Sequence, residues 1–271
     1  MKIGLCVTLL CLFFRTTVVQ AVDRELIVVP LPLEQPEAVI AATRPLAALL
    51  SERLQQPVQV RYIASYQDIL EQFQRGTIDI VHLGPLPYLK LRQMKIGAEP
   101  LAVVNEADGA AAYSCALVTG FDGPSGVARV KGPLALTQPL STCGHLTAAY
   151  LLNRQGKNIE KLHYSYLGNH DKVALAVARG GYQAGTMKTA LAVKYADLGL
   201  RVLAETPLFP GFLLVANRAN LPPQRIEELR KVLLGLTARE RSRLELGKYG
   251  FSRVVEAQYE QLERYQSRKG E

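Results

Sequence analysis

The chain of 271 residues contains no tryptophan, three methionines, four histidines and four cysteines. Scarce histidine and cysteine argue against a metal protein: Cys143-Gly144-His145 is the one close pairing beyond the N-terminal segment, and it lacks paired-ligand spacing. No later apolar run is long enough to cross a bilayer, so no stable membrane insertion is expected. There is no repeat of fixed period and no low-complexity tract. No basic run is dense enough, or sufficiently interleaved with aromatics, to argue for nucleic acid. What remains is 48% apolar and 21% charged, the composition of an ordinary globular protein.

The first residues read as a targeting segment. Lys2 precedes an almost wholly apolar stretch from Ile3 to Phe14, and Val19-Gln20-Ala21 ends in a small residue, as in a signal peptide cut after Ala21. Export to the periplasm is the expected localisation. Removing Lys2 and Arg15 lowers the formal charge from +8 to about +6, which still favours anionic partners. Cys6 and Cys11 leave with the signal, without the small-residue context of a lipid-attachment box. Cys115 and Cys143 remain. An even pair in an exported chain suggests a disulfide; two free thiols serving a soft ligand are the alternative.

Strand and helix patterns alternate over most of the chain. Glu25 to Pro30 reads as a strand, and Pro36 to Leu54 as a helix with apolar Val39, Ile40, Leu46, Leu49 and Leu50 on one face. Val58 to Tyr62 is a second strand, Gln67 to Gln74 a helix stopped by Gly76, and Ile78 to His82 a third strand ending in Leu83-Gly84-Pro85. Such alternation predicts a parallel sheet with helices on both faces. A crossover is expected near Asn105, with the return crossover at Leu200 to Ala204. The reading is therefore α/β: lobe 1 from 22–105 plus 206–271, and an inserted lobe 2 from 106–205. The tail, from Pro222 onward, is helical. Polar strand-to-helix turns should converge in the cleft: Ser65-Tyr66, Gly84 to Tyr88, Ser141 to His145, and Asn169-His170.

Among these turns Ser141-Thr142-Cys143-Gly144-His145 is central. It lies between the strand-like Pro133 to Thr137 and a helix-like run beginning at Leu146. Free N–H groups and the helix dipole make such a place receptive to an anion. Ser141 and Thr142 add hydroxyls, and Gly144 is expected to let a ligand approach the backbone. A plain Ser/Thr N-cap is the bland alternative. Asp79 is expected to serve a strand end, Arg179 a helix C-terminus, and Lys188 the surface.

At these residues the chain resembles the phosphonate/phosphite type of substrate-binding protein of bacterial transporters. The matching pieces are Ser65-Tyr66, Gly76 to Ile80 with Leu83-Gly84-Pro85 and Tyr88, Ser141 to Gly144, and His170-Asp171 with Ala176 to Gly180. The resemblance implies a two-lobed periplasmic binding fold of type II with two hinge crossovers, closing around a small oxyanion without a cofactor. It further implies ligand contacts from Tyr66, Tyr88, Ser141, Thr142, Gly144 and His170, with Gly84, Pro85, Cys143 and His145 beside them. The expected partner is a transporter permease or the periplasmic domain of a sensor kinase. Two departures bear on the ligand. Cys143 stands where the family's turn usually has Ser. After Gln183-Ala184-Gly185, the run Thr186-Met187-Lys188-Thr189-Ala190 has no acid, where aminoalkylphosphonate binders of the family carry one. A ligand ammonium would go unpaired there, so a compact phosphate-, phosphite- or alkylphosphonate-like anion is expected. Two further readings of Cys143 remain: arsenite held with Cys115, and a Cys/His nucleophile pair for hydrolysis, for which no orienting third group is evident.

Overall fold

The computed structural model describes residues 24–262. The expected signal segment therefore lies outside the described residues, as does the end of the tail. Lobe 1 begins with β1 (Leu26–Val29), α1 (Pro36–Leu54), β2 (Val58–Val60), α2 (Tyr66–Gln74), β3 (Ile80–Leu83), α3 (Pro85–Gln93) and β4 (Ala98–Val104). The chain crosses through β5 (Ala112–Tyr113) into lobe 2. That lobe comprises β6 (Cys115–Thr119), β7 (Leu134–Leu136), α4 (Thr147–Asn153), β8 (Tyr164–Tyr166), α5 (His170–Ala178), β9 (Ala184–Lys188), α6 (Thr189–Lys194) and β10 (Arg201–Glu205). It returns through β11 (Phe209–Pro210) to β12 (Leu213–Asn217), α7 (Pro223–Leu234), α8 (Ala238–Arg241), β13 (Phe251–Ser252) and α9 (Glu256–Glu260).

Two mixed sheets result, in the orders β13-β4-β12-β3-β1-β2 and β10-β6-β9-β7-β8. The parallel sheet expected from the alternation is correct only for β2-β1-β3 and β8-β7-β9. The other pairings are antiparallel, because a strand that enters a sheet after a crossing runs in the opposite sense. The stretch Leu200 to Ala204 is not the return crossing itself. Most of it forms β10, the edge strand of lobe 2 against β6, and the return lies after Glu205, where β11 pairs with β5.

Each sheet buries apolar side chains on both faces. In lobe 1, Val29, Val81, Leu83 and Phe73 pack on one side, while Leu26, Val28, Leu46, Leu214 and Leu229 pack on the other. Lobe 2 repeats the plan with Leu117, Leu134 and Leu152 opposite Val118, Val173 and Met187. Burial on this scale, at about 25 cal/mol per Å2, makes each lobe a rigid body on which turns can be positioned. Asp79 serves lobe 1 as a fully buried structural acid: it receives Arg24 and Asn220 side-chain hydrogen bonds and the Ile27 N–H. Among the described residues no helix is long and apolar enough to cross a membrane.

Candidate functional site

Three helix N-termini meet groups from the opposite lobe. At α2 the Ser65 hydroxyl accepts from Asp68 N at 3.1 Å, which leaves the Tyr66 N–H free to donate to Gln138 Oε1 of lobe 2 at 2.9 Å. The same Gln138 amide donates to Ala64 O at 3.0 Å, so one side chain spans the cleft twice. At α3 the Gly84-Pro85 start supplies no side-chain cap, and Leu86 N donates to Thr142 Oγ1 at 3.1 Å. At α5 Asn169 caps Lys172 N, while His170 N donates to Leu33 O at 3.0 Å. Asp171 accepts from Gln35 N at 2.9 Å. The lobes are therefore closed on each other through backbone donors that in an open cleft would face water.

The turn from Thr142 to Leu146 is a wide π-type turn rather than a simple helix start, and the Ser141 hydroxyl makes no capping bond. Ser141 N donates to Gln138 O and Gly144 N donates to Ser141 O. The turn's remaining offer to an anion is the amides of Thr142 and Cys143 together with the two hydroxyls. Thr147 and Thr186 hydroxyls hold the Thr142 and Gly144 carbonyls at 2.8 and 3.1 Å. Gly144 is needed for a different reason from the one expected. A Cβ there would lie 2.8 Å from Gln138 O and 3.0 Å from Thr137 Oγ1, so the bare Cα accommodates the chain's own backbone rather than a ligand.

Cys143 is bonded to Cys115 at the start of β6, with Cα atoms 5.3 Å apart. Both sulfurs are consumed, so the arsenite reading and the nucleophile reading of Cys143 lose the thiol each requires.

Between the lobes lies a cavity of about 10 Å3, lined by Tyr66, Gly84 and Phe212 from lobe 1, by Ser141, Thr142, Cys143 and His170 from lobe 2, and by Leu33 and Tyr113. That is room for about one water, so a larger solute would fit only with the lobes parted. Tyr113 is 4% exposed, and its Oη makes no hydrogen bond although the Thr142 side chain is near. Burial pushes its pKa, and that of Tyr66, well above the ordinary phenol value, so both remain protonated donors. The Lys188 N–H donates to His170 Nδ1 at 3.2 Å, which places the ring proton on Nε2. Burial, and secondarily Lys188, lowers the pKa of both His170 and His82 to about 3; both rings are neutral. His82 Nε2 is buried without a partner, its ring edge-on to Phe212 at 6.0 Å.

Of the residues singled out in the sequence, Tyr66, Gly84, Ser141, Thr142, Cys143 and His170 come together at this cavity. Tyr88 does not: its ring is fully buried in lobe 1 against Tyr259, at 5.3 Å between centroids. Pro85 is spent as the first residue of α3. His145 turns outward to Glu160 at 3.0 Å and packs edge-on against Tyr164. Lys188 is not a surface residue but is paired with Glu106 across 82 positions of sequence. Sequence reasoning missed Leu33, Gln138, Phe212 and Glu106. Only Gln138 carried a signal, as a polar residue between an apolar strand and Pro139.

The family model for the periplasmic substrate-binding protein of phosphonate ABC transporters matches residues 28–262. The phosphate-import protein PhnD of Mycolicibacterium smegmatis is 25% identical over 235 residues, covering 80% of this chain and 73% of the relative. PhnD1 of Prochlorococcus marinus, solved with methylphosphonate, superposes with a TM-score of 0.78 at 19% identity over 90% of this chain and 97% of that one. A binding-protein component of a Pseudomonas aeruginosa phosphonate transporter gives 0.78 at 20% identity, covering 90% and 87%. These two likenesses establish the two-lobed fold.

Proposed function

The chain belongs to the family of periplasmic substrate-binding proteins of phosphonate ABC transporters, and on that premise we propose that it captures phosphate, phosphite or a short alkylphosphonate between its lobes. Members of such a family bind and hand over; they do not convert. The observation that carries the ligand reading is the meeting of the α2, α3 and α5 N-termini with Thr142 and the unpartnered Tyr113 hydroxyl at one interlobe cavity. Helix N-termini and hydroxyls all present positive ends, and no acid lines the cavity to repel an oxyanion.

An incoming anion replaces two neutral acceptors. Gln138 Oε1 and Thr142 Oγ1 take the Tyr66 and Leu86 N–H groups in the closed protein. An anionic oxygen makes roughly twice as strong a bond to such a donor, so the exchange favours the ligand. Opening admits the anion, Ser141 and Thr142 receive it, and closure brings Tyr66 and Tyr113 against it while His170 Nε2–H donates. The closed shape is then read by a transporter permease; a sensor-kinase domain reading the same shape is the second partner class. Residues 1–21 act in this scheme as the export signal.

Calorimetric titration of the mature protein with phosphate, phosphite, methylphosphonate and 2-aminoethylphosphonate tests the proposal. Saturable binding of at least one of the first three, lost in Thr142→Val, is expected. Tighter binding of 2-aminoethylphosphonate than of all three overturns the ligand class.

A further inference from the structure

Lys188, the last residue of β9, reaches out of lobe 2 into a setting that the anion site does not require. Its Nζ lies 2.7 Å from both carboxylate oxygens of Glu106 in the first crossing. It also lies 4.9 Å from the Phe212 ring centroid and 5.7 Å from that of Tyr113. The two charged side chains are only 11% and 20% exposed. A carboxylate with two aromatic faces around one point is the arrangement that recognises a primary ammonium, by charge-assisted hydrogen bonding on one side and ring quadrupoles on the others. The cage adjoins the oxyanion cavity. Phe212 and Tyr113 belong to both, and a methyl placed on Gly84 would touch Phe212 at 3.3 Å and Thr142 Oγ1 at 3.7 Å.

We propose that Glu106, Tyr113 and Phe212 form an ammonium subsite filled by the chain's own Lys188, and that Lys188 is the residue that turns away aminoalkyl oxyanions. This rests on the oxyanion reading of the neighbouring cavity. It replaces the simpler expectation that no acid is present to meet a ligand ammonium: the acid is there, supplied by the hinge, and already taken. A lysine acting only as a latch between lobe 2 and the crossing makes a different forecast, since its loss would weaken or strengthen every anion alike.

The test uses the mature protein, Lys188→Ala, and the double variant Lys188→Ala/Glu106→Gln. The first readout needs no oxyanion. Ethylammonium chloride is expected to raise the Tm of Lys188→Ala above the effect of equal sodium chloride, and to do so in neither the parent nor the double variant. A Lys188→Ala chain that folds only with ethylammonium present gives the same answer. An equal response in all three proteins, or none, overturns the proposal. In the second readout, 2-aminoethylphosphonate should gain about tenfold or more in affinity relative to methylphosphonate in Lys188→Ala, and the gain should vanish in the double variant. A uniform change for both ligands points to the latch and overturns the proposal. If the parent binds none of phosphate, phosphite and methylphosphonate, the oxyanion reading falls, while the ethylammonium arm still decides whether the cage exists.

Discussion

Replacing Cys115 by Ala together with Cys143 by Ser removes the covalent tie between β6 and the turn from Thr142 to Leu146, and its effect follows from chain statistics. The bond spans a separation of 28 residues. Closing a loop of that length removes about 3–4 kcal/mol of unfolded-state entropy at room temperature, all of which the variant forfeits. The substitution at 143 should add little to the loss, because Ser is nearly isosteric with Cys and the turn is held separately by Thr147 and Thr186. In urea the midpoint should fall by about 1–2 M, and reducing the parent with dithiothreitol should reproduce most of that fall. Equilibrium unfolding followed by far-UV circular dichroism, with and without reductant, measures both. An unchanged midpoint on reduction would refute the reasoning, and so would two titratable thiols per native, unreduced chain.

Two other outcomes follow from the cleft. His82 and His170, both lowered to about 3 in the folded protein, bind protons in the unfolded chain from about pH 6.5 downward while remaining neutral in the folded one. The unfolded state thus holds more protons between pH 6.5 and 3, and stability should decrease as pH falls through that window, by about 2 kcal/mol per histidine at pH 5. Thermal melts that are flat from pH 7.5 to pH 5 would contradict it. Gln138→Ala deletes two bonds across the cleft, and the ligand-free variant should show a larger radius of gyration than the parent by small-angle scattering. An identical radius would mean that the lobes are held together by other contacts.

Local order was legible wherever one physical signal governed it. Pro36 at a helix start, Gly76 after α2 and Gly180 after α5 punctuate apolar runs whose period gives the element type, and the structure follows them closely. The site was legible where polar residues crowd a strand-to-helix turn, at Ser65-Tyr66, Ser141-Thr142 and Asn169-His170. It was not legible where a side chain's role depends on which way the turn delivers it. Tyr88 follows Gly84 by one helical turn and falls on the face that meets α9, while Tyr66, at the very start of α2, meets the cleft. Glu106 and Lys188 could not be paired from spacing, because 82 positions separate them and they become neighbours only when β9 pairs with β6 beside the first crossing. Sheet direction failed for the same reason: local periodicity is silent about the sense in which a strand re-enters.

The link between Cys115 and Cys143 also makes the protein answerable to its redox surroundings. Thiols stay reduced in the bacterial cytoplasm and are joined in the oxidising space beyond the inner membrane. In a reducing medium the turn is therefore untethered from β6 and rests on the Thr147 and Thr186 hydroxyls, while an oxidising one fastens it covalently.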